Sequence, residues 1–290
     1  MISLIVSTKG RVAEIGELFD SLLADASAEF EVILVDQNED DRLVALAAEY
    51  APHLPLRHLR SARAHANAGR NLGLQHARGD LVGFPDDDCI FPPGVLAQVR
   101  DTFGGDATLA ILTGPAAAPQ GGLGSGRWNE TAGRITLDNV WTSVIEFNLW
   151  LRRDVALSLG GFDEAMGPGA RFGSAEGNDL VCRAMALAQI ARYEPSLRII
   201  HPDKRLTPEA VARAERYGLG MGFALRRHPV AAGTWMPFLY RPIGGAVLSL
   251  LRGRMLNARY YLATLRGRLA GFLATEARSL PHPTPLTSLA

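Results

Sequence analysis

The sequence predicts an α/β protein with a mostly parallel sheet and helices on both faces. Two observations carry that expectation. Short β-branched runs alternate with stretches of helical periodicity, in the order βαβαβαβ. The hydrophobic content of 47% over 290 residues is ample for a buried core.

Residues 2–7 form the first apolar run, and 12–23 follow with Ile15, Leu18, Phe19 and Leu22 at helical spacing. The pair repeats: 30–35 reads as a strand ending at Asp36, 43–50 as a helix, and 56–59 as a third strand. A helix is expected over 67–76 and a strand over 81–84. Pro92 and Pro93 are expected to open a helix reaching Phe103, since proline tolerates a first turn. After a strand at 109–113 the pattern breaks. The stretch 115–133, rich in Gly, Ala and Pro, reads as a surface loop or lid. Regular signals return as a strand at 143–151, a short helix at 153–159, a longer helix at 175–188 and a strand at 197–200. Residues 207–227 read as a helix opened by Thr207, Pro208 and Glu209. There is no internal repeat or low-complexity tract.

Net charge is zero, which gives no hint of a nucleic-acid partner, but the distribution is uneven. Between Arg216 and Thr275 there is no Asp or Glu, while Arg241, Arg252, Arg254, Arg259, Arg266 and Arg268 alternate with apolar side chains. Leu248, Leu251, Met255, Leu262, Leu265, Leu269 and Phe272 recur at helical spacing there. The pattern suits a basic amphipathic helical tail, 206–278, lying on an anionic membrane surface, or equally a helical pair packed on the main domain. Residues 279–290, with their prolines, are expected to be flexible. The apolar start is too short for a signal-peptide core. The run 243–251, bracketed by Arg241 and Arg252, is far below the roughly 20 apolar residues of a membrane span. Cys89 and Cys182 lack metal-ligand spacing, which fits a reducing cytoplasm.

The sharpest chemical signal is Phe84-Pro85-Asp86-Asp87-Asp88-Cys89, three adjacent carboxylates at the C-terminal end of a strand, where ligands of open α/β sheets bind. A hard cation would relieve their repulsion and bridge to a diphosphate. The alternative is a solvated acidic turn before Pro92. Asp36, also at a strand end, is either a ligand for a polar ring or the start of an Asx-turn.

Taken in order, Val6 to Arg11, Val35-Asp36, Gly69 to Leu74, Ala77 to Asp80, the aspartate triplet, Gly160 to Glu164, Glu176 to Asp179 and His201 resemble the GT-A glycosyltransferases, specifically the large inverting family 2. The resemblance covers roughly 1–205, with a nucleotide-sugar half at about 1–114 and an acceptor half at about 115–205. It implies a nucleoside-diphosphate sugar donor and a divalent metal, Mg2+ or Mn2+. Thr8 and Arg11 would then lie near base and ribose, Asp36 on the base ring, and Arg70 at the phosphates or ribose with Asn71 bracing the loop. Asp86 would face the ribose, Asp87 would lie close to the ligand, and Asp88 would hold the metal with His201. Phe162 and Asp163 would pack and hydrogen-bond the base of the acceptor loop.

An inverting transfer needs a carboxylate to take the proton of the acceptor hydroxyl. Family members often carry Glu-Asp followed one residue later by Asp; Gly177 stands in the middle position here, leaving Glu176 as first choice and Asp179 as second. Both also complement a helix N-terminus. Trp150 reads as core and Trp128 as a sugar-stacking candidate. The reading implies a glycan or lipid-linked acceptor in surface polysaccharide synthesis and peripheral contact with the cytoplasmic membrane. Two rivals stand beside it: a sugar nucleotidyltransferase, and a non-catalytic sugar-nucleotide-binding membrane scaffold.

Overall fold

Side chains of the first strand alternate between two separate cores. In the computed structural model, which describes residues 1–25, 27–203 and 205–275, Ile2, Leu4 and Val6 of β1 (Ile2–Thr8) pack with α1 (Ala13–Ala24), while Ile5 faces the opposite side. The same two-residue alternation runs through β2 (Phe30–Asp36), whose Val32 and Leu34 join the first core and Ile33 and Val35 the second. Next come α2 (Val44–Tyr50), β3 (Leu56–Arg60), α3 (Ala66–His76), β4 (Leu81–Gly83), α4 (Val95–Gly105), β5 (Leu109–Thr113), β6 (Ala116–Ala117) and β7 (Gly133–Arg134). The chain goes on with β8 (Leu149–Arg152), α5 (Arg153–Ser158), α6 (Glu176–Ala186), β9 (Ile190–Tyr193) and β10 (Ile199–Ile200), and continues into α7 (Pro208–Arg227), α8 (Ala232–Leu251) and α9 (Met255–Phe272).

The large sheet has the order β3-β2-β1-β4-β8-β5-β9-β7. β3, β2, β1 and β4 are parallel, β8 runs antiparallel between β4 and β5, and β10 pairs with β6 in a small second sheet. The expected α/β class therefore holds. Its parallel half brings the C-terminal ends of β1, β2 and β4 to one edge. Helix α3 sits directly on β1 because Gly69 and Gly73 lack side chains: a Cβ on Gly73 would lie 2.3 Å from Ile5 Cγ2.

Four local expectations change. The helix after Pro92 and Pro93 begins only at Val95, behind Gly94 in the left-handed conformation. The strand expected over 143–151 is confined to Leu149–Arg152, since two 3-10 turns, Val140–Thr142 and Glu146–Asn148, occupy the residues before it. β9 was not expected, because four residues that include exposed Arg192 show little hydrophobic alternation. The basic tail is three helices, the last two of them separated at 252–254, with Gly253 at φ 66°.

Helix α7 is capped by Thr207, whose hydroxyl accepts the Ala210 N–H, and carries Pro208 in its first turn. α9 packs against it in parallel through glycines. A Cβ on Gly267 would lie 2.0 Å from the Glu215 carbonyl oxygen, one on Gly271 2.0 Å from that of Leu219, and one on Gly222 2.1 Å from that of Arg268. Backbone therefore meets backbone along this seam. Helix α8 contains Pro237 and Pro242. Pro242 has no N–H for the carbonyl of Phe238, and Arg268 supplies the missing donor at 2.7 Å. Among the described residues no helix is long and apolar enough to cross a membrane. The expected flexible end, 279–290, lies outside the described residues.

Candidate active site

A cavity of about 600 Å³ opens at the edge where β1 and β4 end. Its walls come from both halves of the sheet and from α7, which contributes Arg213 and Tyr217. The boundary expected at residue 205 thus cuts through the cavity lining.

The aspartate triplet follows β4, and its three side chains diverge. Asp86 accepts a hydrogen bond from Arg70 Nη2 at 2.8 Å. Asp87 turns toward the end of β1, accepting from the Thr8 hydroxyl at 2.6 Å and from Arg11 at 2.9 Å. Asp88 pairs with Arg11 and lies 3.2 Å from His201 Nε2. Burial pushes Asp87 up to about 6. Burial pushes Asp88 in the same sense, but hydrogen bonds from His201 and Arg11 outweigh it and hold that carboxyl below its usual range.

Asp86, Asp88 and His201 can each offer one ligand atom within 4.8 Å of the others. Two carboxylate oxygens and an imidazole nitrogen fit a divalent cation of the Mn2+ or Mg2+ type. Asp86, expected at the ribose, thus falls into the ligand set, while Asp87 serves Thr8 and Arg11. His201 is held for this role on both sides: its ring stacks on Phe147 with centroids 4.5 Å apart, and its Nδ1 bonds to the Pro202 carbonyl at 2.8 Å. Ser7 Oγ, at the cavity edge, is buried without a hydrogen-bond partner among the described residues, which leaves it for a ligand.

Arg70 is buried and spans the floor of the cavity. Besides Asp86 it donates to Asn67 Oδ1 at 3.0 Å and to Glu176 Oε1 at 3.3 Å, and its guanidinium lies 5.3 Å from the centroid of the Phe162 ring. Asn71 braces the loop after α5 by exchanging hydrogen bonds with the Phe162 backbone at 2.9 and 2.8 Å.

Glu176 opens α6, faces the cavity and is 3% exposed. Burial, followed by the charge of nearby Glu146, pushes it up to about 8 against the pull of Arg70. Asp179 does not line the cavity. It is 0% exposed and bonded to Arg183 at 2.8 Å and His228 at 2.9 Å, with Arg227 at 3.4 Å. Burial would raise it, but His228, Arg183 and Arg227 bring it down to about 2. As the second candidate base it is therefore misplaced, being sealed behind α6 as an anchor for α7. Asp163, at the base of the acceptor loop, joins the same anchor through Arg227 at 2.5 Å.

Thr8, Asp36 and Trp128 also lie outside the cavity lining, Thr8 being 2% exposed with its hydroxyl on Asp87. Asp36 is fully buried. One oxygen accepts from the Asn38 N–H and side chain, both at 2.8 Å, and the other from His58 at 3.1 Å, so the Asx-turn alternative is what the fold uses. Trp128 donates to the Gly124 carbonyl at 3.2 Å and packs against the core, so it offers no stacking face to the cavity. Trp150 is core, as expected.

Sequence reasoning missed Glu146, Asn67, Arg213 and Tyr217. A second cavity of about 230 Å³ adjoins the first, sharing Arg205, Arg213 and Tyr217, and is closed by Tyr260 and Tyr261 of α9. Neither Arg205 nor Arg213 makes an ion pair among the described residues.

Residues 3–158 match the sequence model of Glycosyl transferase family 2. An uncharacterized glycosyltransferase of Haemophilus influenzae is 32% identical over 116 residues, covering 40% of this chain and 39% of that protein. The uncharacterized glycosyltransferase EpsJ of Bacillus subtilis is 34% identical over 89 residues, 30% of this chain and 26% of that one. The matched stretches span well under half of these relatives. Two solved structures share the fold. The mannosyltransferase PcManGT from Pyrobaculum calidifontis, in complex with GDP-Man and Mn2+, has a TM-score of 0.66 at 19% identity, covering 92% of this chain and 86% of that one. S. aureus TarS with UDP-GlcNAc has a TM-score of 0.59 at 16% identity, covering 89% of each chain. With the match running from the first strand through α5, over more than half of its length, the chain belongs to glycosyl transferase family 2.

Proposed function

We propose that this protein is an inverting, metal-dependent glycosyltransferase that moves a sugar from a nucleoside diphosphate to an acceptor hydroxyl. The observation that carries the reading is the cluster of Asp86, Asp88 and His201 on the wall of a cavity that buried Arg70 and two further carboxylates, Glu176 and Glu146, also line. Asp86, Asp88 and His201 would hold a divalent cation, which when bound neutralises charge on the leaving diphosphate. Lys9 and Arg11 lie where they can face the phosphates, and Ser7 offers a free hydroxyl beside them. The proton of the acceptor goes to a carboxylate on the cavity wall, where both Glu176 and Glu146 lie. The solved structures of this fold hold GDP-Man with Mn2+ and UDP-GlcNAc, which supports both the donor class and the metal.

The acceptor is a phosphate-bearing, lipid-linked glycan in surface polysaccharide synthesis, met at the cytoplasmic face of a membrane. Three observations support this. Arg205 and Arg213 can pair with a phosphate in the second cavity. Met236, Tyr240, Ile243, Val247 and Leu251 form an exposed apolar stripe along α8, at helical spacing. Arg241, Arg252, Arg254 and Arg259 lie exposed around it, as an anionic leaflet requires.

Calorimetry with UDP, GDP and their sugars tests the donor reading. Binding that needs Mn2+ or Mg2+ and disappears with chelator is expected, whereas equal affinity in both conditions removes the metal from the account.

A further inference from the structure

Gly177 leaves the helix start without the carboxylate its motif would supply, and the structure shows what fills that space. An ideal Cβ on Gly177 would lie 3.1 Å from both Cγ and Oε1 of Glu146 and 3.3 Å from its Cδ. Glu146 Oε1 also accepts the Gly177 N–H at 3.2 Å. Thirty-one residues away in sequence, Glu146 thus places its carboxylate in the volume where a side chain at 177 would begin, on the wall of the main cavity. We propose that Glu146 is the catalytic base of the transfer, taking the proton of the acceptor hydroxyl in place of the missing side chain at Gly177. This rests on the glycosyl-transfer reading above.

Three features favour Glu146 over Glu176. Glu146 is half-buried and opens on the cavity, whereas Glu176 is enclosed by Arg70, Asn67 and Gly167, where a Cβ would come within 2.9 Å of Glu176 Oε1. Glu176 is also committed to Arg70, whose Nη1 donates to Glu176 Oε1 at 3.3 Å. Finally, the turn Glu146–Asn148 is fixed at both of its other residues. Phe147 stacks on His201, and the Asn148 side chain donates to Pro115 O at 3.1 Å and Leu197 O at 2.7 Å. A base held this way needs little reorganisation on reaching the transition state.

The bookkeeping of the step is simple. A lone pair of the acceptor oxygen forms the new bond to the anomeric carbon. The bond from that carbon to the phosphate oxygen breaks, with its electron pair leaving on the nucleoside diphosphate. The hydroxyl proton moves to a Glu146 carboxylate oxygen. Glu176 then serves as a positioning residue that holds Arg70 against Asp86.

The test measures release of nucleoside diphosphate from UDP-GlcNAc and GDP-mannose with water as acceptor, alongside donor affinity by calorimetry. Glu146→Gln, nearly isosteric, should slow release by about 100-fold or more while leaving donor Kd within about threefold. Glu146→Ala should be as slow. Adding Gly177→Asp to it should recover at least about tenfold, because the new carboxylate occupies the vacated space and Gly177 has an ordinary helical φ. Release by Glu146→Gln close to wild type, or no gain from Gly177→Asp in a double variant that still binds donor, overturns the assignment. A wild-type protein that neither binds nor cleaves either donor instead overturns the glycosyl-transfer reading itself.

Discussion

Two clusters in this molecule bring aspartates together with arginine and histidine, and they behave differently. At the cavity, Asp86, Asp87 and Asp88 meet Arg11, Arg70 and His201, but Arg70 is shared with Glu176, and the Asp86 side chain is 36% exposed. Behind α6, Asp163 and Asp179 meet Arg183, Arg227 and His228, and both the Asp179 and Arg227 side chains are almost fully buried. The first cluster is short of positive charge and open to solvent, so a cation and a diphosphate have reason to enter. The second is saturated and closed, so its charges can only fasten α7 to the loop that carries Asp163. Residue type does not separate a binding site from a latch; unspent charge and access do.

That contrast breaks if Asp179 turns out to matter for ligands. Asp179→Ala strands Arg183, Arg227 and His228 without their shared anion and should lower stability by about 3–5 kcal/mol, the scale of a broken buried ion pair. Thermal unfolding measures it, and donor affinity of the protein that remains folded should be unchanged. Wild-type stability with lost turnover would return Asp179 to the chemistry. For the open cluster the expectation is the reverse. Asp88→Ala should weaken metal-dependent diphosphate binding by on the order of 100-fold while leaving the melting temperature nearly unaltered, since a bound metal's ligand set is what it removes. Equal diphosphate affinity with and without chelator, in both proteins, would sink the metal site.

The two carboxylates of α6 also sharpen the comparison through pH. Asp179 is lowered from 3.8 to about 2, so the stability it contributes is present above pH 3.8 and lost as pH falls toward 2, by about 2 kcal/mol in all. Glu176 is raised from 4.5 to about 8, so its effect has the opposite sign: the stability is present below pH 4.5 and fades as pH rises through 8. Denaturant titrations should show Asp179→Asn flattening the acid limb of the stability curve and Glu176→Gln flattening the alkaline one. The reverse pattern would mean the burial of one of them is misjudged. The smallest expected effect concerns the apolar stripe of α8. Each of Arg252, Arg254 and Arg259 changed to Gln should weaken binding to anionic vesicles by about 1 kcal/mol at low salt. Failure of the wild-type protein to sediment with such vesicles would remove the membrane contact, and its support for a lipid-linked acceptor.

Much of the nucleotide side was legible because its signals are local. Alternation marks β1 and β2, and the aspartate triplet sits where a parallel strand must end. The region from β8 to α7 was less legible for a physical reason. Glu176 and Asp179 are three residues apart on one helix, and nothing in the chain says which of them faces a cavity and which faces Arg183 and His228. Glu146 was invisible because its place depends on an absent side chain at Gly177. Tyr217 and Arg213 looked like part of a surface tail, since only the docking of α7 onto the acceptor loop, with Ser174 donating to the Tyr217 carbonyl at 2.6 Å, turns them into a wall. The one signal available was the spacing of Gly218, Gly222, Gly267 and Gly271, which marks two helices meant to touch.

That glycine seam has a bearing on when the protein becomes competent. Chains emerge from the ribosome N-terminus first, and the buried residues of both cores flanking the sheet precede α9, which itself buries Ala258 and adds Phe272 to the edge of one core. Until Gly267 and Gly271 have emerged and seated against α7, the face of α7 that carries Gly218 and Gly222 has no neighbour, and Arg213 and Tyr217 stand on a helix supported from one side only. Seating of α9 is therefore the step that fixes the cavity wall carrying Arg213 and Tyr217.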